Sequence, residues 1–158
     1  VQGGARVEPS RERDADPLAD RGHHTFAYAL FPHVGSFADG GVIAEAHSFN
    51  SPLRVLPVAP AASTTTTAIR SLMHVDDPGV VVAAVKPADH GDGMIIRLHE
   101  SFGGRRRVHL AIPGAVAATR VDLLEAPLDV EPCPVDDETV ALDLGAFEIV
   151  TLRVTLAD

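Results

Sequence analysis

The stretch VVVAAVKPADHGDGMIIRLHES, Val80 to Ser101, decides the fold. Its first half, Val80 to Val85, is an unbroken run of β-branched and small apolar residues, the pattern of a strand covered on both faces. Its second half alternates. Met94, Ile96 and Leu98 fall on one face and Ile95, Arg97 and His99 on the other, as in a strand with one face partly wet. Between them, Pro87 ends the donor row of the first strand and Asp92-Gly93 supplies the positive-φ residue of a turn. The spacing predicts a central β-hairpin, and a doubly covered strand requires further layers above and below it, hence a sandwich.

On the N-terminal side, residues 1–22 are rich in charge, Gly and Pro without periodicity, and read as a lead-in or linker, partly mobile. The sandwich domain is expected over 23–158. Phe26, Tyr28 and Leu30 alternate with small residues and predict a strand from His24 to Phe31. Gly41 to Asn50 shows helical spacing at Val42, Ala46 and Phe49, with Asp39 as N-cap and Ser51-Pro52 as stop, so one short helix is expected near 41–50. Leu53 to Val58 and Leu72 to Val75 read as short strands joined by a threonine-rich connector. The turn Asp76-Asp77-Pro78-Gly79 delivers the chain into the central hairpin.

On the C-terminal side, strands are expected at Arg105 to Ile112 and Thr119 to Leu124, with Ala126 to Glu138 mostly loop. Val140, Leu142 and Leu144, then Val150, Leu152, Val154 and Leu156, alternate on either side of Gly145 and predict a closing hairpin with one apolar face. Seven or eight short strands, one helix and no βαβ alternation make an all-β antiparallel sandwich of two packed sheets.

Composition bounds function. A chain of 158 residues can bury roughly 70% of its unfolded surface, enough for a single core without metal or disulfide. The lone Cys133, between Pro132 and Pro134, has no intramolecular partner, which suits a reducing, cytoplasmic setting. With 13 Lys and Arg against 22 Asp and Glu, the net charge of −9 opposes nucleic acid and anionic lipid as partners. No apolar run reaches the roughly 20 residues that span a bilayer.

Candidate motifs each have a plainer reading. Asp89-His90-Gly91-Asp92-Gly93 has two carboxylates but lacks the further oxygen donors of a calcium loop, and reads as a solvated turn. His23 and His24, with His33, invite a metal, yet adjacent strand residues point to opposite faces. His74, His99 and His109 lie in separate expected strands, where surface or interface histidines are the default. Alternation also splits Arg105-Arg106-Arg107, so a charged strand start with edge protection is expected rather than an anion patch. Glu100 on a strand and Asp92 in a turn have no reason to lie about 5 Å apart, as retaining glycosidase chemistry requires. No catalytic, cofactor-binding or metal-ligating residue is assigned.

The order of segments carries a resemblance. The run DPLADRGHHTFAYALFPH, Asp16 to His33, resembles a stretch of the glycoside hydrolase family 38 α-mannosidases with the pattern Asp-Pro-x-Ala-Asp-x-Gly-x-His-x-Phe-x-Tyr-Ala-Leu-x-Pro-His. Similar to that family in the same order are Phe49 to Leu53, Val85-Lys86 through Asp92-Gly93 to Glu100, Asp122 to Glu125, and Phe147 to Val154. The resemblance implies the C-terminal β-sandwich portion of a retaining enzyme of mannose metabolism. Its catalytic and helical domains would be the partners of this chain, and its zinc and aspartate nucleophile would lie in the absent catalytic domain. Alone, the chain is expected to be inactive. The alternatives are a freestanding carbohydrate-binding module, against which the absence of Trp counts, and a dimerisation module whose bare sheet edges pair between copies.

Overall fold

The computed structural model describes residues 22–57 and 71–157 and divides the chain into two units, 1–32 and 33–158. In the first unit, residues 22–32 carry neither helix nor strand. The strand expected at His24–Phe31 is therefore not formed. Alternation makes a segment able to face a core, but does not by itself make it a strand. Most of the expected lead-in, 1–22, lies outside the described residues, as does the connector at 61–67.

Among its described residues the second unit holds helix α1 (Val42–Asn50) and eight strands: β1 (His74–Val75), β2 (Val80–Pro87), β3 (Met94–Glu100), β4 (Arg106–Ala111), β5 (Ala115–Val121), β6 (Val135–Asp136), β7 (Thr139–Leu144) and β8 (Ile149–Leu156). They form two four-stranded antiparallel sheets, in the orders β1-β4-β7-β6 and β2-β3-β8-β5. The expected all-β sandwich with one short helix is what the chain forms. Leu53 to Pro57 is not a strand.

The helix forms where its spacing places it, but its cap differs. Gly41 is the N-cap, in the left-handed region at φ 69, and no side chain caps the helix. Asp39 turns back instead and accepts the Ser36 hydroxyl at 2.7 Å. The helix buries none of its residues.

The core is the row of alternate side chains turned inward from both sheets. Ile96 and Leu98 of β3, Val108 and Leu110 of β4, Val140, Leu142 and Leu144 of β7, and Val150, Leu152 and Val154 of β8 are buried in one cluster. Each fully buried aliphatic side chain contributes about 1.5–3 kcal/mol against leaving it in water.

Two further expectations are corrected. The Val80–Val85 run is the edge of its sheet rather than its doubly covered centre, and Val85 is partly exposed. The interior strands are β3 and β8, and their outward faces hold the buried Ile95 and Thr151. The hairpin itself forms, with Val80 opposite Glu100, Pro87 opposite Met94 and Gly93 at φ 115 in the turn. A Cβ there would stand 2.8 Å from the Val154 carbonyl oxygen. The second correction concerns β7 and β8, which are not a hairpin: they lie in different sheets. Both runs turn one apolar face inward, and that pattern is the same whether consecutive strands pair or cross between layers.

Candidate functional site

Glu100 ends β3 on its inward row, and its side chain is fully buried. An unpaired carboxylate there would be prohibitive, so its oxygens are filled. Oε1 accepts the Phe102 N–H at 2.9 Å and the Arg106 Nε–H at 2.8 Å. Oε2 accepts the Gly103 N–H at 2.7 Å and the Phe147 N–H at 3.0 Å. Burial pushes the carboxyl pKa up, but the Phe147 amide, the Arg106 guanidinium and the amides of Phe102 and Gly103 outweigh it and hold it at about 2. Arg106 also grips Asp77 through both carboxylate oxygens and lies 4.9 Å over the Phe102 ring. Gly79 leaves room for it, since a Cβ there would stand 2.5 Å from the guanidinium carbon.

The same clamp sets the turn into β8. Gly145 donates to Glu148 Oε2 at 2.6 Å, and the Glu148 N–H returns to the Gly145 carbonyl at 3.2 Å. Phe147 sits in this turn at φ 56. That region is unfavourable for a bulky side chain.

A second carboxylate clamp lies on the outward face of the β2-β3-β8-β5 sheet. Asp122 Oδ1 accepts the N–H groups of Leu124 and Ala126, and the turn puts Glu125 at φ 68 with its side chain buried. Glu125 accepts the Asp89 N–H at 2.8 Å and pairs with Lys86 and, at 3.8 Å, with Arg153. Lys86, Ile95 and Arg153 stand in one cross-strand row, so both cations converge on Glu125 from either side of Ile95 and roof it. Lys86 first, then the Asp89 amide, hold the Glu125 carboxyl below its ordinary range against burial.

Beside Phe147 the outward face opens into a hollow of about 400 Å3 lined by Ile43 of α1, Ala83, Arg97, His99, Phe147 and Ile149 among others. Its open wall is mainly carbon. A second, polar hollow of about 490 Å3 is bounded by Arg105, Arg106, Arg107, Asp143 and Glu148.

The residues singled out in the sequence are mostly kept apart. Asp92 lies in the hairpin turn and Glu100 at the far end of β3, roughly 20 Å away at the rise of an extended strand. His99 belongs to a different sheet from His74 and His109. His109 Nδ1 lies 2.8 Å from Asp76 Oδ2, and the His109 backbone amide, then its ring, keep the Asp76 carboxyl below its ordinary range. Asp89 pairs with Lys86 within the turn. Alternation does split the arginines: Arg106 turns inward and Arg107 outward to Asp143. They stand at the start of β4, paired with β7, while β1 pairs with β4 only at Leu110 and Ala111. Cys133, in the segment expected to be mostly loop, bridges to Ala118 and joins the core.

His and Asp stand two residues apart at His74-Val75-Asp76 and at His90-Gly91-Asp92. Among the described residues no group of three or more His, Cys, Asp or Glu is placed to hold a metal ion, so zinc does not fit them. Sequence reasoning missed the Glu100–Arg106 and Glu125–Lys86 clamps. A carboxylate at an inward strand position was the available signal for the first.

Residues 79–152 match the family described as glycosyl hydrolases family 38 C-terminal beta sandwich domain. Over 147 residues, 89% of this chain, the sequence is 37% identical to alpha-mannosidase 2C1 of Homo sapiens and 35% identical to alpha-mannosidase 2C1 of Mus musculus. Alpha-mannosidase G of Dictyostelium discoideum is 29% identical over 92 residues, 58% of this chain and 8% of that protein. The chain spans 14% of the length of the two mammalian relatives. The matched segment carries Glu100, Arg106, Glu125 and Phe147, the residues that fasten the sandwich together, as well as strands β2 to β7 and the first half of β8. By this match and by its likeness to the two mammalian α-mannosidases over 89% of its length, the chain belongs to the C-terminal β-sandwich domain family of the family 38 glycosyl hydrolases.

Proposed function

We propose that this sandwich is the non-catalytic C-terminal portion of an α-mannosidase that cleaves α-mannosidic bonds with retention, its zinc and nucleophile held in a domain outside this chain. Its work is to pack against the catalytic and helical domains and to shape the rim of the sugar site, in a cytoplasmic enzyme. The observation that carries this reading is the family match, falling on a sandwich whose buried carboxylates are spent as clamps. Retaining hydrolysis needs two carboxyl groups about 5–5.5 Å apart across a sugar, one of them free to attack. Glu100 and Glu125 are each saturated by hydrogen bonds and cations, so neither is available. The purified chain incubated with an aryl α-mannoside and zinc is expected to give no turnover above buffer. Turnover would overturn the proposal.

The alternative of a freestanding carbohydrate-binding module draws on one observation, the Phe147 ring, which is 70% exposed and could serve as a stacking platform. Titration with mannose oligosaccharides separates the two readings. No saturable binding is expected up to millimolar sugar, and saturation in that range favours the module.

A further inference from the structure

We propose that the hollow between α1 and the start of β8 is a socket for an apolar anchor side chain, with a hydrogen-bond acceptor beside it, supplied by the part of the parent enzyme outside this chain. The inference rests on the domain-packing role proposed above and names the surface that performs it.

Three observations converge on the socket. Phe147 holds an unfavourable backbone conformation, fixed by the buried Glu100, yet its ring is 70% exposed. For the sandwich alone the strain brings little burial, and strain of this kind is found where a side chain is held ready for a partner. Part of the ring rests over Gly103, where an added Cβ would come within 2.7 Å, so the ring is aimed rather than loose. Two residues on, Ile149 is 58% exposed on the outward face of a strand whose inward residues Val150, Leu152 and Val154 are buried. Finally, α1 buries none of its residues and leaves Phe49 46% exposed, while its Ile43 closes one side of the hollow. The helix thus forms a wall without filling the space behind it.

The occupant follows from size and chemistry. A hollow of about 400 Å3 with carbon walls admits one or two large apolar side chains. Arg97 and His99 on its rim supply donors for an accompanying carbonyl or carboxylate. The relatives of this chain devote most of their length to other parts, since the matched chain spans 14% of them, so the same polypeptide has ample surface to provide the anchor. Central, well-packed apolar anchors carry most of the energy of such contacts.

The test uses the complete polypeptide that carries this chain, with the substitutions Ile149→Asp, Ile149→Thr and, at the opposite end of the same sheet, Val116→Asp. Val116 is 57% exposed and lies away from the hollow. The readout is the rate at which a trace of protease releases the sandwich. Ile149→Asp is expected to raise it at least about tenfold, equivalent to roughly 1.4 kcal/mol. Ile149→Thr, which keeps the β-branched shape, should raise it less, and Val116→Asp less than about twofold. In the isolated chain all three are expected to leave the thermal midpoint within about 2 °C of the parent, because both positions are exposed. Equal release from the Ile149 variants and the parent, or an equal effect of Val116→Asp, overturns the socket while leaving the packing role standing. Free release of the sandwich from the unsubstituted polypeptide overturns both.

Discussion

Glu100 occupies the row of β3 that otherwise carries Met94, Ile96 and Leu98, and the fold tolerates a charge there only because four donors meet it. Its carboxyl is held at about 2, below its ordinary 4.5, so its stabilising effect is fully present above about pH 4.5 and is lost as pH falls towards 2. The difference is worth on the order of 3 kcal/mol. Glu100→Gln should lower the urea-unfolding free energy at pH 7 by roughly that amount and flatten the loss of stability between about pH 5 and pH 2. An unchanged acid profile would refute the clamp. In the sequence Glu100 stood out only as one member of a rejected catalytic pair. Three of its partners, Phe102, Gly103 and Arg106, follow within six residues, but Phe147 lies 47 residues on, and no local spacing announces it.

Among the elements, the β2–β3 hairpin was the most legible. Pro87 and Gly93 mark its turn, and the alternation of Met94, Ile96 and Leu98 gives the inward face. What the residues could not convey is rank within the sheet. The valine run of β2 looked central and proves to be an edge, because β-branched residues suit any pleated strand, and which strands flank it is decided by long-range pairing. The hairpin is held down by Glu125, 36 residues beyond the Asp89 amide that it accepts. Glu125→Ala should therefore speed hydrogen exchange at the Asp89 amide while leaving that of Leu98, deep in β3, near the parent rate. If the turn stays equally protected, the pinning role is wrong. The segment His24–Phe31 shows the complementary failure: its alternation is correct, yet it carries no strand.

At the level of the whole molecule, the edges bear on the dimerisation alternative. The long edge strand β2 carries a bulge between Val82 and Ala84, with Lys86 and Pro87 at its end. The opposite edge, β5, carries another bulge between Ala115 and Ala117 and is bridged by Cys133 and Pro127. The other sheet is flanked by β1 and β6, two residues each. These are the devices that discourage strand pairing between chains. Light scattering across a dilution series is therefore expected to give the mass of one chain, 16.6 kDa, at every concentration. A mass that doubles as concentration rises would mean that a face or edge described as guarded is sticky. Fold class was legible at this scale because strand number, spacing and turn residues are local signals. The distribution of strands between the two sheets was not, since β3 to β4 and β7 to β8 both cross layers at turns that resemble hairpins in sequence.

One consequence of that distribution concerns how the protein is made. Although β8 is the last described strand, it lies between β3 and β5. A ribosome reading from the N-terminus therefore leaves a vacant lane in the middle of this layer after β3 has emerged. At about 5–20 residues per second, the lane stays open for several seconds, with amides along both banks bonded only to water. During that interval the nascent polypeptide is a ready template for stray ribbons, and protection by a chaperone until the region around Leu156 clears the tunnel is what this strand order demands of the cell.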